Sequence, residues 1–514
     1  MATGCRSSPG RSRSKRRAEV FPARICIVGG GTAGWLAALM LGDAARRAGA
    51  VTTITVVESS KFGTIGVGEG TTAVFRMLLK HLGLDEFAFL AATGATIKFG
   101  IRHRDWRRLG HHYDGPIDDP HLVAGLGGPL MDAAQVAAGR RVGETHLFQH
   151  LIDAGKSPFA MKEGRYVPAG PFHHAYHFDQ ALAGKYLKTK AGSVTLIDDQ
   201  VTGVETGGAG ISALVLEAGR RVEADFFVDC SGFRRALIGS LGAAWVSYGD
   251  VLPVNRAMPF WVDIPEGEEI DPVTLAWAQG AGWLWKIPTA ERYGCGYVYS
   301  DLHTTPDAAK LEIERALGYE IHPRNDIRIN AGRLDASWIG NCVALGLASS
   351  FLEPLEATSI HGTVVQLMLL TALIGRGDGP AVFNAAAARQ VDDFRTFIRL
   401  HYVSERRDTP FWRDVAASHP AALLEKLDIW ADKMPEARDF PPFPLGLPHV
   451  EGQLYTPVLD GLGLLTPAAA KARLGADKRP AQAAAALIRE YRAAAGQCLG
   501  HRAFLQSLHQ EVAI

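Results

Sequence analysis

The strongest constraint on the fold lies near the start of the chain. Arg24-Ile25-Cys26-Ile27-Val28 is a short apolar run of the kind buried in parallel sheets. Gly29-Gly30-Gly31-Thr32-Ala33-Gly34 follows without a gap, and Trp35-Leu36-Ala37-Ala38-Leu39-Met40-Leu41 has helical character. Strand, Gly-x-Gly-x-x-Gly and helix in this order form the fingerprint of a dinucleotide-binding βαβ unit. Gly29 permits the tight turn, Gly31 lets the backbone approach a pyrophosphate, and Gly34 lets helix pack closely on strand. Thr32 and Ala33 open the helix, whose N-terminus then faces the phosphates. A second apolar run, residues 53–57, ends in Glu58-Ser59, which sets a carboxylate where a ribose hydroxyl would sit. A tight turn without ligand would need none of this register.

Composition narrows the class. The chain has 514 residues with 54 basic and 54 acidic side chains, so a formal net charge of zero gives no support for a nucleic-acid or membrane-surface role. Six scattered cysteines (5, 26, 230, 295, 342 and 498) show no metal-ligand spacing and suit a reducing, cytoplasmic setting. The adjacent pairs His111-His112 and His173-His174 diverge on a strand, so no metal site is expected. Residues 1–22 are basic and rich in Ser, Gly and Pro, the composition of a disordered tail. The longest apolar stretch, 363–375, is too short to span a bilayer.

Further along stands Gly282-Trp283-Leu284-Trp285-Lys286-Ile287-Pro288. Alternation puts both indoles on one face of an extended segment, where they either fill a core or keep water from a cleft. Four other segments accompany it. Ile65-Gly66-Val67-Gly68-Glu69-Gly70-Thr71 is a glycine-rich loop, and Thr93-Gly94-Ala95-Thr96-Ile97-Lys98-Phe99-Gly100-Ile101-Arg102 precedes Trp106. Ala175-Tyr176-His177-Phe178-Asp179 precedes a helix pattern, and residues 346–360 carry Glu353-Pro354-Leu355-Glu356-Ala357-Thr358-Ser359-Ile360. With His401-Tyr402-Val403-Ser404 and Asp408-Thr409-Pro410-Phe411-Trp412, this set, in this order, resembles the flavin-dependent halogenases of the tryptophan halogenase family. The apolar run 224–229, ending in Asp229-Cys230-Ser231-Gly232, also resembles the second flavin-contacting strand of two-dinucleotide-domain flavoproteins.

The resemblance implies an α/β fold: an FAD-binding Rossmann-like module with mixed sheets, of the flavin monooxygenase-like superfamily, carrying a mainly helical substrate lobe. It implies FAD as cofactor, with contacts from Gly29, Gly31, Thr32, Ala33, Gly34, Glu58, Ser59, Val67, Glu69, Val201, Leu347 and Ile360. With O2 and chloride or bromide, FADH2 would form a flavin hydroperoxide and then hypohalous acid, handed to Lys98 as a hydrogen bond or a haloamine. Glu356 falls on the catalytic glutamate, Thr358 and Ser359 on the pair whose amides hold halide, and Trp283 and Trp285 on the shielding tryptophans. From the residues alone, a lysine is more often a surface group, and Glu353 is as good a first-turn helix acid as Glu356. With no second nicotinamide fingerprint, the expected partner is a separate flavin reductase, with a small aromatic substrate; a homodimer is compatible. The alternatives are an aromatic hydroxylase on the same scaffold and a non-catalytic flavin-binding protein.

The resemblance thins after Trp412. The Tyr-Tyr, Glu and Phe-Trp groups that clamp free tryptophan are not recognisable, and Phe440-Pro441-Pro442-Phe443-Pro444 suggests a stiff, shortened loop. An open pocket, and an indole or related arene rather than free tryptophan, are therefore expected. Gly70 stands for the family's usual Ala, and Ser359 for Gly, which puts strain at the halide turn in question. Residues 23–410 read as the FAD-binding module with interleaved substrate-lobe segments, and 411–514 as a mainly helical covering region. Helices are expected over 467–474 and 480–495, opened by Thr466-Pro467 and by Pro480. Met77 and Leu78-Leu79 read as helix core.

Overall fold

In the computed structural model, which describes residues 21–61, 68–118, 125, 127–208, 210–374, 376 and 379–512, the glycine fingerprint joins β1 (Arg24–Val28) to α1 (Thr32–Ala48). β2 (Thr53–Glu58) pairs parallel with β1, Ile25 beside Ile54 and Val28 beside Val57. They lie in a six-stranded sheet ordered Thr195–Asp198, β2, β1, Phe226–Asp229, Cys342–Ala344 and Trp338–Ile339, parallel except for the last strand. Alternate residues serve opposite faces. Ile25, Ile27, Val56 and Val228 join one core, while Cys26, Val28, Val57 and Phe227 join another. Burial on both sides is why these strands read as continuous apolar runs.

β3 (Thr96–Lys98) belongs to a small sheet with Glu69–Gly70 and Ala175–Phe178, with Lys98 opposite Ala175. Two residues later the chain enters a seven-stranded sheet as β4 (Gly100–Arg104). Gly100 allows the approach of its neighbour, since a Cβ there would lie 2.3 Å from the Gly115 carbonyl oxygen. The two tryptophans sit on β5 (Gly282–Pro288) in the middle of this sheet, on one face as alternation predicts. Trp285 lies beside Ala276 on one strand and Gly296 on the other. A Cβ at Gly296 would fall 2.0 Å from the Trp285 ring, so a hydrogen side chain makes room for the indole.

The described residues from Thr358 onward are helical or irregular. α2 (Thr358–Leu373) is buried on nearly every side, which explains the apolar stretch there. α3 (Gly379–His401) follows, and its Phe394, Phe397 and Ile398 pack into the same core as Trp106, Trp283 and Trp285. The helix Pro467–Leu474 matches its expected span, with Thr466 Oγ1 accepting from the Ala469 amide at 3.1 Å. The next helix, Arg479–Gln497, overruns its expected ends by one and two residues. Leu78 and Leu79 are core, but Met77 faces a cavity instead. No helix among the described residues is long and apolar enough to cross a membrane.

Candidate active site

A cavity of about 520 Å³ opens at the carboxyl ends of the parallel strands. Its walls include Gly29–Ala33, Glu58, Ser59 and Val201, and Cys230, Ser231 and Gly232 from the end of the strand Phe226–Asp229. The glycines divide their work. Gly29 has φ +115 and no room for a Cβ beside the Cys230 carbonyl, while a Cβ on Gly34 would sit 1.8 Å from the Gly29 carbonyl oxygen. Gly31 is different: a Cβ there meets no protein atom within 4 Å and would project into the cavity. Thr32 Oγ1 is buried at the same wall without a hydrogen-bond partner. A backbone left bare toward empty space, an orphaned hydroxyl and a helix N-terminus fit a pyrophosphate. Glu58 pairs with Lys188 at the cavity edge.

Leu347 and Gln180 line both this cavity and a second, of about 170 Å³, lined also by Glu69, Lys98, Trp285, Glu353, Thr358 and Ser359. Lys98 is 1% exposed. Burial lowers its ammonium pKa to about 8, opposed by the negative charges of Glu356 and Glu69. Burial in the same cavity pushes the Glu69 carboxyl up to about 7 against the pull of Lys98. Gly70 borders the lysine so closely that a Cβ would lie 2.9 Å from Nζ.

The segment before α2 carries two buried acids with separate surroundings. Glu353 Oε2 accepts from Trp283 Nε1 at 2.7 Å and from the Tyr402 hydroxyl at 2.6 Å, tying the tryptophan strand to this turn. Burial raises its carboxyl to about 7. Glu356 and Ala357 both adopt left-handed backbone, φ 66 and φ 54, at a cost of about 1–2 kcal/mol each. This turn aims Glu356 Oε1 between two buried imidazoles, 3.2 Å from His103 Nε2 and 3.0 Å from His401 Nε2. Burial alone would raise the Glu356 carboxyl, but the two imidazoles outweigh it and hold it well below the usual range.

A family model described as tryptophan halogenase matches residues 24–451. The chain belongs to the tryptophan halogenase family. It is 35% identical over 478 residues to the tryptophan 6-halogenase SttH of Streptomyces toxytricini, covering 86% of this chain and 90% of that protein. The crystal structure of SttH superposes with a TM-score of 0.83 over 95% of this chain and 100% of its own. The 7-chloro-L-tryptophan 6-halogenase KtzR of Kutzneria sp. (strain 744) is 36% identical over 501 residues, 91% of this chain and 95% of that protein. The protein is thus a flavin-dependent halogenase, with the α/β architecture of that group.

Within this halogenase scaffold most of the anticipated residues converge. Lys98, Glu69, Trp285, Leu347, Thr358 and Ser359 share one cavity, and Trp283 backs Trp285 with ring centroids 6.4 Å apart. Ile360 does not reach either cavity wall; it is buried in the core with Val364 and Phe75. Val67 lies outside the described residues, as does the tail up to residue 20. Strain at the turn falls on Glu356 and Ala357, whereas Ser359 lies in the first turn of α2 without positive φ. No side chain caps α2, whose first residues Thr358 and Ser359 line the cavity. Glu353 is no helix-opening acid, because it is the buried acceptor for Trp283.

Glu356 opens on the other side, toward a cavity of only about 30 Å³ lined by Ile117, Asp118, Phe394, Phe397, Pro448, His449 and Leu454. The expected open pocket is not what the structure shows: aromatic and proline side chains crowd it. Asp118 and Gln453 also line an adjoining cavity of about 50 Å³ with Asp132, His146 and Tyr491. Neither cavity is lined by Lys or Arg among the described residues. The sequence reading missed His103, the Glu353–Trp283 bond and Tyr402. Only alternation on β4 (Ile101, His103) marked His103 as inward-facing, only the quoted His401-Tyr402 segment marked Tyr402, and no local signal marked the Glu353–Trp283 bond.

Proposed function

We propose that the protein halogenates an electron-rich aromatic carbon with chloride or bromide, and that Lys98 and Glu356 carry the reaction. The observation that carries the reading is a lysine buried in a cavity that shares Gln180 and Leu347 with the dinucleotide cavity and coupled electrostatically to a buried, ionised glutamate. Gly29, Gly31, Thr32, Ala33, Glu58, Ser59, Val201 and Leu347 would hold FAD. When bound in its reduced form, FAD supplies hypohalous acid from O2 and halide. We infer delivery of that reduced flavin by a separate reductase, in keeping with the single dinucleotide fingerprint.

The protein's own residues supply the rest. The uncapped amides of Thr358 and Ser359 hold halide at the cavity wall. Trp285, backed by Trp283, excludes water, so that the reactive halogen is not lost. Below about pH 8 Lys98 is an ammonium that hydrogen-bonds hypohalous acid and polarises its halogen toward the arene. Glu356, kept anionic by its two imidazoles, stabilises the cationic ring and accepts its proton.

The substrate we favour is an indole or related arene without a free carboxylate, or a larger molecule bearing one. Charge supports this: a carboxylate in the Glu356 cavities would meet Asp118 and Asp132 and no Lys or Arg among the described lining residues. The test is mass spectrometry of reactions with FAD, a flavin reductase, NADH, O2 and an indole panel including tryptophan, with each halide separately. A halogen isotope pattern that disappears in Lys98→Ala, with FAD binding kept, is the expected result. Halogenation surviving in Lys98→Ala sinks the lysine assignment, and a hydroxylated product points to an aromatic hydroxylase.

A further inference from the structure

The contacts around Glu356 leave one fully buried imidazole, that of His103, without a hydrogen bond. His401, the last residue of α3, has Nδ1 2.9 Å from the carbonyl oxygen of Phe397. A carbonyl only accepts, so Nδ1 carries a proton, which in the neutral ring leaves Nε2 as the ligating nitrogen. Nε2 lies 3.0 Å from Glu356 Oε1, a contact that an imidazolium closes as a hydrogen bond. From the opposite side His103 Nε2 stands 3.2 Å from the same oxygen without hydrogen-bond geometry, and neither of its ring nitrogens has a partner. Both imidazoles are fully buried, and the three donor atoms lie within 4.8 Å of one another. Three possible ligand atoms, one of them on an imidazole with no hydrogen bond, thus converge in a buried space.

We propose that His103, Glu356 and His401 form a binding site for a divalent transition-metal ion of the zinc type, and that occupation of this site switches halogenation off. Two ligand atoms each about 2.1 Å from an ion, at tetrahedral or octahedral angles, lie roughly 3.0–3.4 Å apart. The two contacts to Glu356, 3.0 and 3.2 Å, fall in that range, and the two imidazole nitrogens lie within 4.8 Å of each other. Two imidazoles and one carboxylate suit Zn²⁺ or Co²⁺ better than Ca²⁺ or Mg²⁺, which prefer oxygen. The Phe397 carbonyl fixes the tautomer of His401, as second-shell partners do at metal sites. Glu356 also lines the adjoining cavity. The inhibitory consequence rests on the proposed role of Glu356 as proton acceptor, whereas binding itself does not.

The experiment uses full-length protein dialysed against chelator and titrated with ZnCl2 by calorimetry and with CoCl2 by visible absorption. His103→Phe, whose ring can keep the stack on Tyr113 (centroids 4.6 Å apart), is compared with wild type and with the exposed-site control His112→Ala. One Zn²⁺ per chain, at least tenfold weaker binding in His103→Phe but not His112→Ala, and a cobalt d–d band lost only in His103→Phe are expected. Zn²⁺ should inhibit wild-type halogenation reversibly by chelator, and any activity left in His103→Phe should be insensitive to it. Equal binding in wild type and His103→Phe, or no binding in wild type, overturns the site. If His103→Phe does not fold, the anomalous signal of a Zn²⁺-soaked wild-type crystal decides: a peak between the three residues supports the site and its absence refutes it. Site-specific binding without halogenation under any condition would fault the functional reading alone. Halogenation indifferent to Zn²⁺ would fault the inhibitory claim alone.

Discussion

Replacing Lys98 by methionine should stabilise the protein while abolishing its activity. The lysine is 1% exposed, and burial lowers its pKa from 10.5 to about 8 even with Glu356 and Glu69 favouring the charge. At about 1.4 kcal/mol per pH unit, holding the ammonium in the folded state costs about 3 kcal/mol. The folded pKa lies below the unfolded one. The cost is therefore complete below about pH 8, fades as pH rises toward 10.5, and is absent above it. Methionine has similar length and no charge, so it removes the cost with little change in packing. At about 2.1 cal/mol/K per residue, a 514-residue chain unfolds with an entropy of about 1.1 kcal/mol/K, so the gain is about 3 °C in Tm. Apo protein melted between pH 7 and 10 should show this gain at pH 7 and lose most of it at pH 10. Equal Tm values at pH 7, or a difference that does not change with pH, would refute the idea that Lys98 is a desolvated cation.

Glu353→Ala should lower Tm by several degrees, since it leaves Trp283 Nε1 and the Tyr402 hydroxyl buried without an acceptor at about 1–3 kcal/mol each; Glu353→Gln should recover most of it. Gly31→Val should leave Tm of the apo protein near wild type and weaken FAD binding at least tenfold by fluorescence titration, because its side chain enters open cavity. Gly34→Ala should instead destabilise the apo protein, its Cβ colliding with the Gly29 carbonyl.

How far the sequence could be read depended on how local each feature is. β1, its glycines and α1 were legible because strand, turn and helix start are set by local backbone geometry, although β1 also pairs with the strand Phe226–Asp229 and Gly29 abuts Cys230. The helix after Thr466 was equally legible, because its cap and its proline act within one turn. Glu353 was ambiguous from sequence, since its partners Trp283 and Tyr402 lie 70 and 49 residues away. The size of the Glu356 cavity was misjudged for a related reason. Prolines announce a stiff loop, but whether that loop opens or crowds a pocket depends on which helix it packs against, here α3 with Phe394 and Phe397.

The sequence by itself determined the dinucleotide-binding unit, the family and the identity of Lys98 and Glu356 as its candidate reactive residues, because each is written in short, ordered motifs. Tertiary structure alone decided what those residues experience. Lys98 is desolvated because a small sheet and a large sheet meet at Phe99 and bury the strand end that carries it. Glu356 stays ionised because one strand and the last residue of one helix deliver imidazoles to the same carboxylate oxygen. Burial and charge pairing are properties of space rather than of sequence order, so no reading of the chain in one dimension contains them.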